Sequence, residues 1–186
     1  MCPPSAIKER PRGESGVIVN LKAYVLLHCV DYCKCLRALG KGACGSVFLV
    51  SYSGASCALK VVKASKKTAF TREVKIMRRL AGAGGAPLVL AACPEMPAFI
   101  MTYCGKVTLD KFFKQKQEFG TCIKVVRLLA KALQEVHAKG VVHCDLKSNN
   151  VLVDVDADGK PTGVHIIDFG LARRPGKSLK MRAPEG

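Results

Sequence analysis

The segment His143-Cys144-Asp145-Leu146-Lys147-Ser148-Asn149-Asn150 decides the reading of this chain. It gathers an aspartate, a lysine and two asparagines directly after a run whose apolar residues recur at helical spacing. That run starts near Thr121, which has the chemistry of a helix cap. It carries Val125, Leu128, Leu129, Ala132, Leu133 and Val136 on to Ala138, and Gly140 stops it. Downstream, the β runs Val151 to Val155 and Val164 to Ile167 flank the turn Asp156-Ala157-Asp158-Gly159. The second run leads into Asp168-Phe169-Gly170, and Ala183-Pro184-Glu185 stands beyond it.

Upstream the punctuation is that of a sheet. Leu36 to Leu39 is a short apolar run before Gly40-Lys41-Gly42-Ala43-Cys44-Gly45-Ser46-Val47. Glycines at those positions let a backbone approach phosphate oxygens without obstruction by Cβ. A dinucleotide fold would need a helix after the turn. Here Val47 to Tyr52 reads as a strand, so the glycines form a flap between antiparallel strands. After the turn Ser53-Gly54-Ala55, a third strand runs from Ser56 to Lys63 and holds Lys60. In the helical run Thr68 to Leu80, Phe70, Val74, Met77 and Leu80 share a face, and the Gly82-Ala83-Gly84-Gly85 stretch ends it. Glu73 lies in that helix and can pair with Lys60 across the sheet–helix gap. Pro87 to Ala92 and Pro97 to Tyr103 are strand-length runs, Cys104-Gly105-Lys106 is a linker, and Thr108 caps a short helix to Phe113.

Taken together and in this order, these signatures resemble the eukaryotic protein kinase catalytic domain of the serine/threonine type. The resemblance covers about Tyr32 to Gly186. It implies an α+β, bilobal fold with a β-rich N-lobe over 32–103 and a helical C-lobe over 104–186, after an arm and lead-in over 1–31. The family continues past Ala-Pro-Glu into further helices. The C-lobe is therefore expected to be incomplete, with Glu185 lacking its usual arginine partner and helix Thr121 to Ala138 exposing apolar surface.

The resemblance also assigns roles. The loop residues Gly40, Lys41, Gly42, Ala43, Cys44, Gly45 and Ser46 would cover the phosphates of ATP, with Leu39 and Val47 against the adenine. Lys60, oriented by Glu73, would neutralise phosphate charge. Met101 matches the gatekeeper, and the backbone of Thr102 and Cys104 would meet the adenine edge. Asp145 would orient or accept the substrate hydroxyl proton, and Lys147 would stabilise the transferring group. Asn150 and Asp168 would hold Mg2+ between the phosphates. Met77, His143 and Phe169 would stack as an apolar link between the lobes. Lysine two residues after the aspartate fits serine/threonine kinases, because tyrosine kinases usually lack it.

Some positions depart from the family pattern. Cys144 replaces an arginine that normally meets an activation-loop phosphate, which implies either activity independent of that phosphate or an inactive relic. Ser178 is the one hydroxyl residue between Asp168 and Glu185. Arg173, Arg174, Lys177 and Lys180 either favour acidic protein substrates or form a solvated basic loop. The rival to an active kinase is a nucleotide-binding pseudokinase or adaptor.

Composition bounds these readings. The 49% hydrophobic content supports a core, which the 6% aromatic share makes aliphatic, so disorder is excluded as the dominant state. Lys and Arg outnumber Asp and Glu by 30 to 14, giving +16, a surface that attracts phosphate or acidic segments. A nucleic-acid partner rests on charge alone, since no stacking cluster or recognition motif accompanies it. Met1 to Gly16 lacks the apolar run of a signal peptide, and Val17 to Val30 and Gly84 to Met101 are too interrupted to span a membrane. The expected setting is intracellular, cytoplasmic or nuclear, with the 10 cysteines as thiols. His28, Cys29, Cys33 and Cys35 lack a second pair at zinc spacing. Asp154, Asp156, Asp158 and Gly159 mimic the start of a calcium loop, yet His165 falls where its closing glutamate belongs.

Overall fold

The structure, a computed structural model, describes residues 19–20 and 37–176. The N-terminal arm, the His28, Cys29, Cys33 and Cys35 group, Leu36, Lys177, Ser178, Lys180 and Ala183-Pro184-Glu185 lie outside the described residues.

Strands β1 (Val19–Asn20), β2 (Arg37–Lys41), β3 (Gly45–Tyr52), β4 (Ala55–Val62), β5 (Val89–Cys93) and β6 (Ala98–Thr102) form one sheet. Its order is β1-β5-β6-β4-β3-β2. β2, β3, β4, β6 and β5 pair antiparallel, and β1 joins β5 in parallel. Side chains alternate across a strand. On β4, Cys57 and Leu59 enter one apolar cluster with Val50, Ala91, Cys93, Ala98 and Ile100. Val62 enters the other cluster, on the opposite face. Lys60 shares the parity of Val62, so the pleat aims it at the helix-covered face.

Helix α1 (Lys67–Leu80) covers that face, burying Phe70, Glu73, Val74, Ile76, Met77 and Leu80. Full burial of Leu80 or Phe70 stabilises by about 1.5–3 kcal/mol each. Phe70 and Phe99 meet at a ring-centroid distance of 6.1 Å, which fixes helix on sheet. The helix ends at Leu80 as expected, but Ala81 and not a glycine takes the left-handed cap position at φ 48°, and Gly82 follows at φ 88°.

Helix α2 (Leu109–Lys114) is capped as its sequence predicts, Thr108 Oγ1 accepting the Lys111 amide at 3.2 Å. Helix α3 (Phe119–Ala138) corrects the expected boundary. The Cys122 amide already donates to the Glu118 carbonyl at 3.1 Å, so Thr121 lies within the first turn and is no cap. Strands β7 (Val151–Val155) and β8 (Pro161–Ile166) pair as an antiparallel hairpin. Its turn explains Asp156 of the calcium-like stretch: Asp156 Oδ1 accepts the amides of Asp158 at 3.0 Å and Lys160 at 2.8 Å.

The lobes share one core, which runs from Met77, Leu80 and Phe99 to Val125, Val136, Ile166 and Phe169. The opposite face of α3 leaves Phe119, Ile123 and Val126 exposed, as expected for that helix. Among the described residues, no helix is long and apolar enough to cross a membrane, and the described cysteines are free thiols.

Candidate active site

The flap comes first in the chain. β2 and β3 bring Gly40 opposite Val47 and Lys41 opposite Ser46. The Gly42 amide closes the turn on the Gly45 carbonyl at 2.8 Å. The glycines differ in why they are glycine. A Cβ on Gly45 would collide with the Val61 carbonyl of β4, so sheet packing alone demands glycine there. A Cβ on Gly40 or Gly42 would meet nothing within 4 Å, and neither residue has a positive φ. The fold thus gives no reason for these two. Leu39 sits at the bulge between Ala38 and Gly40, and Lys41, Ala43, Cys44 and Ser46 fill the rest of the flap.

Lys60 is buried and anchors the polar set. Its Nζ lies 2.6 Å from Glu73 Oε1 and 2.9 Å from Asp168 Oδ1. The side chains of Lys60 and Glu73 are 8% and 5% exposed, whereas that of Asp168 is 49% exposed. Burial works against the ammonium, but the two carboxylates outweigh it and leave the Lys60 pKa raised. Burial pushes the Glu73 carboxyl up, and Lys60 offsets this only in part. The expected Lys60–Glu73 pair is therefore present, and Asp168 joins it from 108 residues away.

The loop after α3 is held by its own hydrogen bonds. The Asp145 amide donates to His143 Nδ1 at 3.2 Å, so the ring's other nitrogen carries the proton given to the Ile167 carbonyl at 2.9 Å. The His143 ring also meets Phe169 at a centroid distance of 4.9 Å. Met77 and Phe169 belong to the same buried cluster, as the stacking expectation requires. Cys144 is exposed and left-handed at φ 63°, its Sγ near the Val142 carbonyl at 3.5 Å.

Asp145 Oδ2 accepts from Lys147 Nζ at 2.9 Å and from Asn150 Nδ2 at 3.1 Å. The bond from Lys147 is the main reason its carboxyl is held below the usual range, and Asn150 adds to it. Asn150 Nδ2 also donates to the Asp145 carbonyl at 2.8 Å, which turns the amide oxygen of this buried residue the other way. Asp168, left-handed at φ 62°, keeps a second carboxylate oxygen beyond its bond to Lys60. An amide oxygen and a carboxylate oxygen are hard donors, the type a magnesium ion takes.

The strand leading to the linker completes the set. Met101 is partly buried against the shared core. Thr102 is bound both ways to Leu88: its amide donates to the Leu88 carbonyl at 3.0 Å, and its Oγ1 accepts the Leu88 amide at 2.9 Å. The Cys104 thiol turns toward the Thr102 and Gly85 carbonyls at 3.9 and 4.0 Å. A surface hollow of about 440 Å³ on α3, lined by Ile123, Lys124 and Arg127 among others, includes none of these residues.

Sequence reading missed two polar features, the Lys60–Asp168 bond and a cluster of His165, Asp154 and Gly85. In the cluster, His165 Nδ1 lies 2.7 Å from the Gly85 carbonyl and Nε2 lies 2.7 Å from Asp154 Oδ2. The one available signal was the pair of Asp154 and His165 on facing strands.

Comparison with known proteins gives the family. The protein kinase domain model matches residues 33–186. A curated serine/threonine-protein kinase of Arabidopsis thaliana, UCNL, is 29% identical over 170 residues, which is 81% of this chain and 40% of that protein. The chain thus spans less than half the length of that relative. With a family model matched over most of its length and the family's fold in place, this chain belongs to the protein kinase domain family.

Proposed function

We propose that the chain is an ATP-dependent protein kinase that transfers the γ-phosphoryl group to serine or threonine hydroxyls. The observation that carries this reading is the assembled polar set: Lys60 bridges Glu73 and Asp168, while Asp145 is held by Lys147 and Asn150. Phosphoryl transfer needs positioning and charge neutralisation more than covalent chemistry, and these are the residue types that supply both.

In this reading Lys60 offers a buried ammonium to the nucleotide phosphates. Glu73 keeps it from folding back, because the carboxylate holds Nζ from the helix side. The space beside Gly40 and Gly42 lets the flap backbone come close to the phosphates, a reason for glycine that the fold itself lacks. The backbone of Thr102 and Cys104 meets the adenine, between Leu39 and Val47. Asp145 stays ionised at neutral pH and orients the attacking hydroxyl as its proton leaves. Lys147 steadies the charge on the transferring group. Asn150 and Asp168 would hold a divalent cation, which neutralises phosphate charge when bound.

Two observations support a serine/threonine acceptor: Lys147 follows Asp145 by two residues, and the Arabidopsis relative is named for that activity. The test is transfer from labelled ATP to a basic and an acidic protein, followed by phosphoamino-acid analysis, with Asp145→Asn alongside. Label on serine or threonine that disappears in Asp145→Asn is expected. Equal label in the variant, or label confined to tyrosine, would overturn the reading. No transfer by the parent chain, with ATP still raising its melting temperature, would favour the pseudokinase reading instead.

A further inference from the structure

The loop after α1 is the part of the N-lobe that enters the C-lobe, and glycines make its path possible. A Cβ on Gly84 would lie 2.5 Å from Val136 Cγ2 and 2.7 Å from the Ala132 carbonyl of α3. A Cβ on Gly85 would strike the Val164 carbonyl of β8. Both residues also have a positive φ, 68° and 67°. The loop is therefore wedged between α3 and β8 with its backbone polar groups against both.

Three side chains hold the loop and the end of α1 there. Glu135 Oε2 accepts the Gly84 amide at 2.9 Å, and Arg79 Nε donates to the Lys139 carbonyl at 2.5 Å. The third is His165, whose two nitrogens both face acceptors, the Gly85 carbonyl and the Asp154 carboxylate, each at 2.7 Å. A neutral imidazole has one N–H. It would turn a lone pair toward one of these oxygens at hydrogen-bond distance. Only the imidazolium satisfies both partners, so the geometry itself selects the charged ring.

We propose that His165 is a positioning residue of the kinase site, a doubly protonated strut that holds the Gly84-Gly85 loop, and with it the end of α1, on the β7–β8 hairpin. Through α1 the strut bears on Glu73 and hence on Lys60. For its effect on catalysis the proposal rests on the kinase reading, whereas the strut itself can be measured without it.

The surroundings are consistent with a charged ring. Asp154 on β7 faces Nε2, and the Cys104 sulfur approaches from the linker after β6. On α3, Glu135 is occupied by Gly84, and Lys131 lines the same hollow of about 130 Å³ beside Val164 and Gly85. Cys104, the Gly85 carbonyl and Asp154 favour the proton against the effect of burial, and the ring's pKa is pushed up to about 9. A histidine with a raised folded-state pKa contributes fully below its ordinary value of about 6.5. That contribution is lost as pH rises through about 9. The strut is therefore in place at neutral pH and released in alkali.

The test uses the full chain. Nitrogen–proton NMR spectra of His165 at pH 7.5 are expected to show both ring nitrogens protonated, with titration near pH 9. Asp154→Asn removes the facing charge and is expected to lower the ring's proton affinity at least about tenfold. Amide exchange across residues 84–88, expressed as protection relative to the unfolded chain, is expected to fall several-fold above pH 9 in the parent and near pH 7 to 8 in Asp154→Asn. His165→Lys keeps a cation and is expected to stay protected and pH-insensitive up to pH 9.5. A parent ring that titrates at or below about 6.5 overturns the proposal, even should Asp154→Asn fail to fold. So does loop protection that ignores the titration. In the same series the KM for ATP is expected to rise where loop protection is lost. If no variant transfers phosphate while the NMR and exchange results hold, the kinase reading fails and the strut stands.

Discussion

Lys60→Met is the most informative single change, because it separates the role of the ammonium from that of its stem. Methionine nearly fills the same volume, so packing changes little. The charge does change: Glu73, 5% exposed, loses its partner at 2.6 Å and faces only the partly solvated Asp168. A carboxylate stranded in that position escapes by taking up a proton, adding to the upward push that burial already exerts. Its folded pKa is then raised, so the variant is most stable below the ordinary glutamate value of about 4.3 and loses stability as pH climbs. The slope is about 1.4 kcal/mol per pH unit while the folded form holds a proton that the unfolded form does not. The loss is therefore expected to be larger at pH 7.5 than at pH 6.0. At pH 7.5 it is expected to approach the ~3–5 kcal/mol typical of a buried pair broken on one side. Urea unfolding of parent and variant at both pH values reads the difference directly. Lys60→Met/Glu73→Gln is expected to flatten the pH dependence and recover most of the stability. A deficit below about 1 kcal/mol, or one equal at both pH values, would refute the view of Glu73 as a buried charge that depends on Lys60.

Asp145→Asn is expected to lower kcat by about 10²- to 10⁴-fold, measured by labelled-phosphate transfer. Since Lys147 and Asn150 hold the Asp145 carboxyl low, the parent's pH–rate profile is expected to show no limb from this group above about pH 4. Gly45→Ala drives a Cβ into the Val61 carbonyl, a backbone atom that cannot swing away. A loss of about 1–3 kcal/mol or more is expected in urea unfolding. Gly42→Ala, with nothing within 4 Å, is expected to leave stability within about 0.5 kcal/mol in the same assay. Thr108→Ala removes the cap of α2, with an expected loss of about 1 kcal/mol by thermal unfolding.

The features legible in the sequence are those set by short-range periodicity and turn chemistry. The run Val151 to Val155 announced a strand with the observed bounds, and Thr108 announced a cap that forms. The Lys60–Glu73 pair could be anticipated because alternation on β4 and the helical period of α1 each leave one polar residue on a buried face. Thr121 misled because cap chemistry was available at a residue that the helix had already passed. Contacts set by how the lobes meet left no local mark. Asp168 reaches Lys60 across 108 residues, and its left-handed backbone is the geometry that places it there. The glycine run 82–85 read only as a helix terminator, while Ala81 makes the left-handed turn itself. The later glycines answer to a different demand, close passage between α3 and β8. That demand explains why polar side chains converge on the loop. A wedge without side chains presents bare amides and carbonyls to its neighbours, and each such group left unpaired inside a core destabilises by about 1–3 kcal/mol. Glu135 and His165 satisfy one donor and one acceptor of the wedge. Close passage, glycine and a charged histidine are thus linked consequences of seating one lobe in the other.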